Sequence, residues 1–162
     1  MKFDKRYLLV AGAAVLFVGA AVMASLTGYR FWSDRQAEQN RTSSVAVARD
    51  TVEGLFTYDY DTADKDLPKA AEKLTSGYRD SYMKVISEQA IPTAKEKKLN
   101  VQTSVQATGV ISTSRDHAVV LVIANQRFTS VDSPQDTISS DRLHVELTKE
   151  HGHWLVSDIK PI

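Results

Sequence analysis

The chain has 162 residues, of which 43% are hydrophobic and 25% charged, with 20 Lys and Arg against 20 Asp and Glu and no cysteine. That length holds one ordinary domain, and the balanced charge, with no basic block beyond Lys97-Lys98, excludes the cationic stripe that a nucleic-acid backbone demands. Lack of cysteine excludes disulfides, thiolate zinc sites and a thiol nucleophile.

The zero net charge averages unlike pieces: residues 1–6 carry +2 and residues 30–162 carry −2. Between them, Tyr7 to Tyr29 contains no charged residue, and Tyr7 to Leu26 is almost wholly apolar or small. At about 1.5 Å per helical residue, such a run spans the ~30 Å of a bilayer's hydrocarbon core. A cleaved signal peptide would share the basic start, but its apolar run is shorter, about 7–15 residues, and Tyr29-Arg30-Phe31-Trp32 suits an interfacial anchor. Residues 7–29 are therefore expected to form an uncleaved transmembrane helix. Lys2, Lys5 and Arg6 place residues 1–6 in the cytoplasm by the positive-inside rule, so the rest of the chain is expected on the outer side of the inner (plasma) membrane. Gly12 and Gly19, flanked by alanines, offer one helix face to a partner helix.

Residues 30–44 are polar after the anchor group and read as a juxtamembrane stalk without core residues, leaving 45–162 as the extracytoplasmic domain. Val45, Ala48, Val52, Leu55 and Phe56 recur at helical spacing and predict an amphipathic helix over about 45–57. Four aspartates between Asp59 and Asp66 predict a turn, with a short helix after Pro68 that ends at Thr75-Ser76-Gly77. A third helix is expected from Tyr78 towards Ala90, bent or stopped by Pro92.

Beyond Lys98 the period changes to two. Val101, Thr103, Val105, Ala107, Gly109 and Ile111 are expected on one face of a strand, and residues 118–124 (AVVLVIA) predict a central strand covered on both sides. Alternation at Leu143, Val145 and Leu147, and again at Trp154 and Val156 after the turn His151-Gly152, predicts two more strands. Three helices followed by four strands with hairpin-length connections predict an α+β domain, with helices on one face of a four-stranded antiparallel sheet.

The strings Leu74-Thr75-Ser76-Gly77-Tyr78-Arg79-Asp80-Ser81-Tyr82 and Gly152-His153-Trp154-Leu155-Val156-Ser157-Asp158-Ile159-Lys160-Pro161-Ile162 resemble the Mce-associated membrane proteins of actinobacteria. The resemblance covers the whole chain, from the basic N-terminus to the last strand. It implies a cone-like domain of the nuclear-transport-factor or cystatin type, held outside the membrane. The role it implies is that of an accessory subunit beside Mce lipid-import transporters, with permease and substrate-binding proteins as partners. It carries no catalytic residue and no cofactor. Bitopic proteins of similar architecture serve type IV secretion, so the architecture alone leaves the machine open.

Enzymatic readings fare poorly on the residues. Tyr58, Asp59, Tyr60 and Asp61 supply the acids and phenols of an isomerase-like site, but four consecutive residues where a helix ends cannot all point inward. His151 and His153 lack a third metal ligand nearby, His117 and His144 read as solvent-facing, and Ser112, Ser114 and Ser130 have no evident base. Phe56, Tyr78, Tyr82, Phe128 and Trp154 are expected to be core, the alternative being the lining of a lipid-sized pocket.

Overall fold

The computed structural model describes residues 38–131 and 136–162. The membrane-span candidate at residues 7–29 lies outside the described residues, with Gly12 and Gly19; among the described residues no helix is long and apolar enough to cross a membrane.

Helix α1 covers residues 38–55. Ser44, Ala48, Thr51, Val52 and Leu55 are its buried positions, a stripe of three- and four-residue steps that lies on the sheet. The stalk expected through residue 44 is corrected here: residues 38–44 belong to this helix and Ser44 is fully buried, its hydroxyl donating to the Arg41 carbonyl at 3.1 Å. A hydroxyl that bonds back to its own helix can be buried without an external partner, so a polar sequence conceals a core position.

Helix α2, Ala63–Ala70, runs on into a 3-10 turn at Ala71–Lys73. Pro68 sits inside α2 rather than ahead of it, and Asp64 and Asp66 occupy the first turn, where carboxylates oppose the positive end of the helix dipole. Leu74 is extended and bridges Val156 of the sheet, with the Thr75 N–H donating to the Val156 carbonyl at 2.9 Å. Thr75 is thereby the N-cap residue of α3, Ser76–Val85, so the expected helix stop at Thr75-Ser76-Gly77 is instead a helix start.

Pro92 does not end the third helical segment. A π turn at Ile86–Ala90 follows α3, the Ile91 N–H reaching the Ile86 carbonyl, and α4 continues from Ile91 to Lys97. The wider turn leaves Pro92 at the start of a fresh helix, where its missing N–H costs little. Lys98, at φ 45°, closes α4 in the left-handed conformation.

Strands β1 (Asn100–Thr113), β2 (His117–Thr129), β3 (Thr137–Glu150) and β4 (His153–Pro161) pair antiparallel in sequence order. His151 and Gly152 both adopt positive φ, 49° and 84°, as a two-residue hairpin between right-twisted strands requires. The main core joins Ala48, Val52 and Leu55 of α1 to Leu74, Val120, Val122, Val145, Leu147, Trp154 and Val156. Ala63, Leu67 and Ile86 form a smaller cluster, and Tyr82 and Met83 pack against both.

Two expectations about faces are corrected. Val101, Thr103 and Val105 point into the core, but the register slips between Val105 and Ala107, so Ala107 and Gly109 pair with Ile123 and Leu121 on the opposite face. A bulge adds one residue and turns the residues after it over, here until a second slip between Val110 and Ser112, at exposed Ile111, turns them back. The central strand β2 is covered on one side only: Ala118, Val120, Val122 and Ala124 are fully buried, whereas Val119, Leu121 and Ile123 are half-buried on the outer face.

Both sheet edges are covered in part. Along β1, Tyr58 bridges Val101, Thr57 Oγ1 accepts from the Thr103 N–H, Glu53 Oε1 accepts from the Val105 N–H, and Arg49 donates to the Val105 carbonyl. Along β4, the Leu74 bridge does the same at Val156.

Candidate functional site

The five aromatics singled out by sequence do not line one pocket. Phe56, Tyr78 and Tyr82 pack half-buried against the main core, Trp154 is buried with 6% exposure, and Phe128 is half-buried outside both core clusters. The Tyr82 hydroxyl donates to the Leu55 carbonyl at 3.0 Å, and burial, reinforced by Tyr58 and Tyr78, pushes its phenol well above the usual tyrosine range. Burial also raises Tyr58, and raises Tyr78 together with the charge of Asp158. All three are therefore protonated donors at neutral pH.

The run Tyr58-Asp59-Tyr60-Asp61 does not converge. Asp59 and Asp61 are exposed, Tyr58 is held through its backbone to Val101, and the Tyr60 N–H donates to Asn100 Oδ1 at 3.2 Å. His117, His151 and His153 are exposed and His144 is half-buried; among the described residues no three His, Asp or Glu side chains gather as a metal site would need.

An open groove of about 950 Å³ runs between α1, α2 and β1. Its charged lining alternates in sign: Asp50, Glu53, Asp66 and Glu72 with Lys69 and Lys73. Trp154 is the sole member of the aromatic set to reach it. Solvated charges of both signs suit polar surface contact with a macromolecule better than desolvated chemistry on an apolar ligand.

The side chains that sequence missed lie where the preceding chain enters the domain. Asn40 Nδ2 donates to the carbonyls of Ser114 and Arg115, both at 3.4 Å, in the β1–β2 loop. Lys149 Nζ donates to Asn40 Oδ1 at 3.0 Å and lies 5.3 Å from the Trp154 ring centroid, while Trp154 Nε1 donates to Ser43 Oγ at 3.0 Å. Thus the first turns of α1 are tied to both hairpin loops at one end of the sheet. No local pattern announces a contact between residues 109 apart, and Asn40 and Ser43 read as ordinary polar helix residues.

Comparison with known proteins accords with this picture. The profile of the family described as "Uncharacterized protein Rv1363c/MT1408-like" matches residues 7–162, and the chain belongs to that family. Among relatives, the "Outer membrane protein Rv1973" of Mycobacterium tuberculosis is 37% identical over 135 residues, which is 81% of this chain and 83% of the relative. Solved structures share the fold at low identity. An IcmL-like type IV secretion system protein from Legionella pneumophila superposes with TM-score 0.64 at 12% identity, over 75% of this chain and 93% of that one. The periplasmic domain of DotI gives 0.62 at 14%, over 73% and 91%. A nuclear transport factor 2-like protein from Salmonella enterica gives 0.53 at 9%, over 75% and 91%. The domain is thus a nuclear-transport-factor-like α+β fold, three helical segments on a four-stranded antiparallel sheet.

Proposed function

We propose that the chain is a non-enzymatic accessory subunit of a cell-envelope machine, anchored by its apolar segment at residues 7–29 and docking its folded domain onto larger partners outside the inner membrane. The observation that carries this reading is the site itself. The helices and sheet close on a packed core, the large groove is open and charged, and the best-defined polar cluster fastens the first turns of α1 to the sheet.

Similar folds in a type IV secretion system protein and in a periplasmic domain favour such a role, as does the outer-membrane name of a relative. For the machine itself we favour a Mce-type lipid-import transporter, on the two strings that resemble Mce-associated proteins; a type IV secretion-like assembly is the second reading, favoured by the solved neighbours. A lipid-binding module would need an open apolar cavity, whereas the groove here is lined by charges of both signs; an isomerase-like enzyme would need acid and base groups converging in such a cavity, whereas the tyrosines and aspartates here diverge.

The test is affinity purification of the tagged full chain from detergent-solubilised membranes, with the co-purifying proteins identified. Mce permease and substrate-binding subunits are expected, with lower recovery after Gly12→Leu and Gly19→Leu. Secretion subunits would move the assignment to the second reading, and recovery of the chain alone would overturn both.

A further inference from the structure

Among the described residues, the outer face of the sheet is a large surface that no helix covers. Register gives its layout. Gly109, Leu121, His144 and Lys160 form one row across the four strands. The row to one side is Ala107, Ile123 and Arg142, and the row to the other is Ser112, Val119, Glu146 and Asp158. The half on β1 and β2 is apolar, with Val119, Leu121 and Ile123 half-buried and Ile111 56% exposed beside them. The half on β3 and β4 is charged: Lys160 pairs with Glu146 at 3.8 Å and with Asp158, while Arg142 is exposed and makes no ion pair among the described residues.

We propose that this face binds the same face of a second copy of the chain, about a two-fold axis that lies along the Gly109–Leu121–His144 row. Rotation about that row exchanges its two neighbours. Ile123 of one copy then lies over Val119 of the other, and Leu121 meets Leu121. Arg142 lies over Glu146, twice by symmetry, while Lys160, on the axial row, faces its own copy with Glu146 and Asp158 of each protomer beside it as counter-charges. A two-fold axis along the strands would instead lay the charged half over the apolar half and leave Arg142 without a counter-charge.

Other occupants fit less well. A bilayer surface would have to desolvate Arg142, Glu146, Asp158 and Lys160, and an added strand needs a free edge, whereas both edges are covered in part. Area is sufficient as well. With about 4.8 Å between strands and about 3.4 Å per residue, four strands over ten residues outline about 650 Å², near the ~800 Å² per partner of a standard interface. Gly109 adds a further observation: a Cβ built there meets nothing within 4 Å, so nothing among the described residues of the protomer requires glycine, while facing sheets about 10 Å apart pack closer over small residues.

The inference does not depend on which machine the chain joins. Sedimentation of the full chain in detergent is expected to show a dimer. Arg142→Glu or Glu146→Arg alone should weaken it about tenfold or more, since each puts like charges opposite one another twice, and the double reversal should restore it. Circular dichroism should be unchanged in all three. Because the chain has no cysteine, Gly109→Cys gives one thiol per copy, which a short bis-maleimide should link into a dimer. A monomer, or a dimer indifferent to the reversals and not linked at position 109, would overturn the proposal. So would residues 1–37, or an unrelated partner, occupying the face in place of a second copy.

Discussion

The two faces of strand β2 are built from the same kinds of residue and end in different surroundings. Val120, Val122 and Ala124 are fully buried under the helices, while Val119, Leu121 and Ile123, each one step along the same backbone, stay half-buried. The difference teaches that an apolar side chain marks what a position can tolerate, whereas burial depends on which element arrives above it. A strand apolar on both faces thus carries one demand that its own helices meet and another that they do not.

The contrast breaks most visibly by truncation. Trp154 packs in the core, donates to Ser43 and lies beside Lys149, so Trp154→Ala should cost about 3–5 kcal/mol. Leu121→Ala, on the open face, should cost about 1 kcal/mol or less in the dissociated protomer. Urea unfolding followed by circular dichroism measures both, and equal costs would abolish the distinction between the faces.

A smaller effect of opposite sign sharpens the account of the covered face. Thr51 is fully buried on α1 and its hydroxyl has no hydrogen-bond partner among the described residues. Thr51→Val keeps the shape and removes an unsatisfied polar atom, so stability should rise by about 1 kcal/mol. The same exchange at an exposed threonine such as Thr93 should do nearly nothing.

Smallest at neutral pH, where it vanishes, is the contribution from the titration of Tyr82. Burial raises its phenol above the ordinary 10.0, so between that pH and the higher folded value the unfolded chain loses a proton that the folded chain keeps. Stability should therefore fall as pH rises above 10. In Tyr82→Phe the slope should be shallower, although the variant is weaker at pH 7 for want of the bond to Leu55. Melting temperatures taken from pH 8 to pH 11 decide the matter.

Much of the fold is legible because periodicity is a local property. The α1 stripe, the four strands, the His151-Gly152 turn and the burial of Trp154 all follow from neighbours a few residues apart. The features that escape are single-residue offsets and distant encounters. The extra residue near Gln106 changes no composition, yet it sends Ala107 and Gly109 to the other face. The π turn ahead of Pro92 likewise converts a stop signal into a start. The Asn40–Lys149–Trp154 cluster depends on packing that no window of sequence contains, and for that reason the residues fastening the start of α1 to the sheet are less legible than the core.

The side chains of α1 along β1 carry a consequence for how large an assembly can grow. A bare strand edge recruits another strand, which in turn offers its own bare edge, and growth has no end. Here Glu53, Thr57 and Arg49 occupy backbone groups that an incoming strand would claim, and Tyr58 and Leu74 close further positions on the two edges. Association is thereby steered away from the open-ended direction, and in the proposed pairing of faces the self-complementary surface is used up once two copies have met. In the anchored arrangement proposed above, such a stopping rule would make crowding in the membrane plane yield pairs of fixed size rather than fibres.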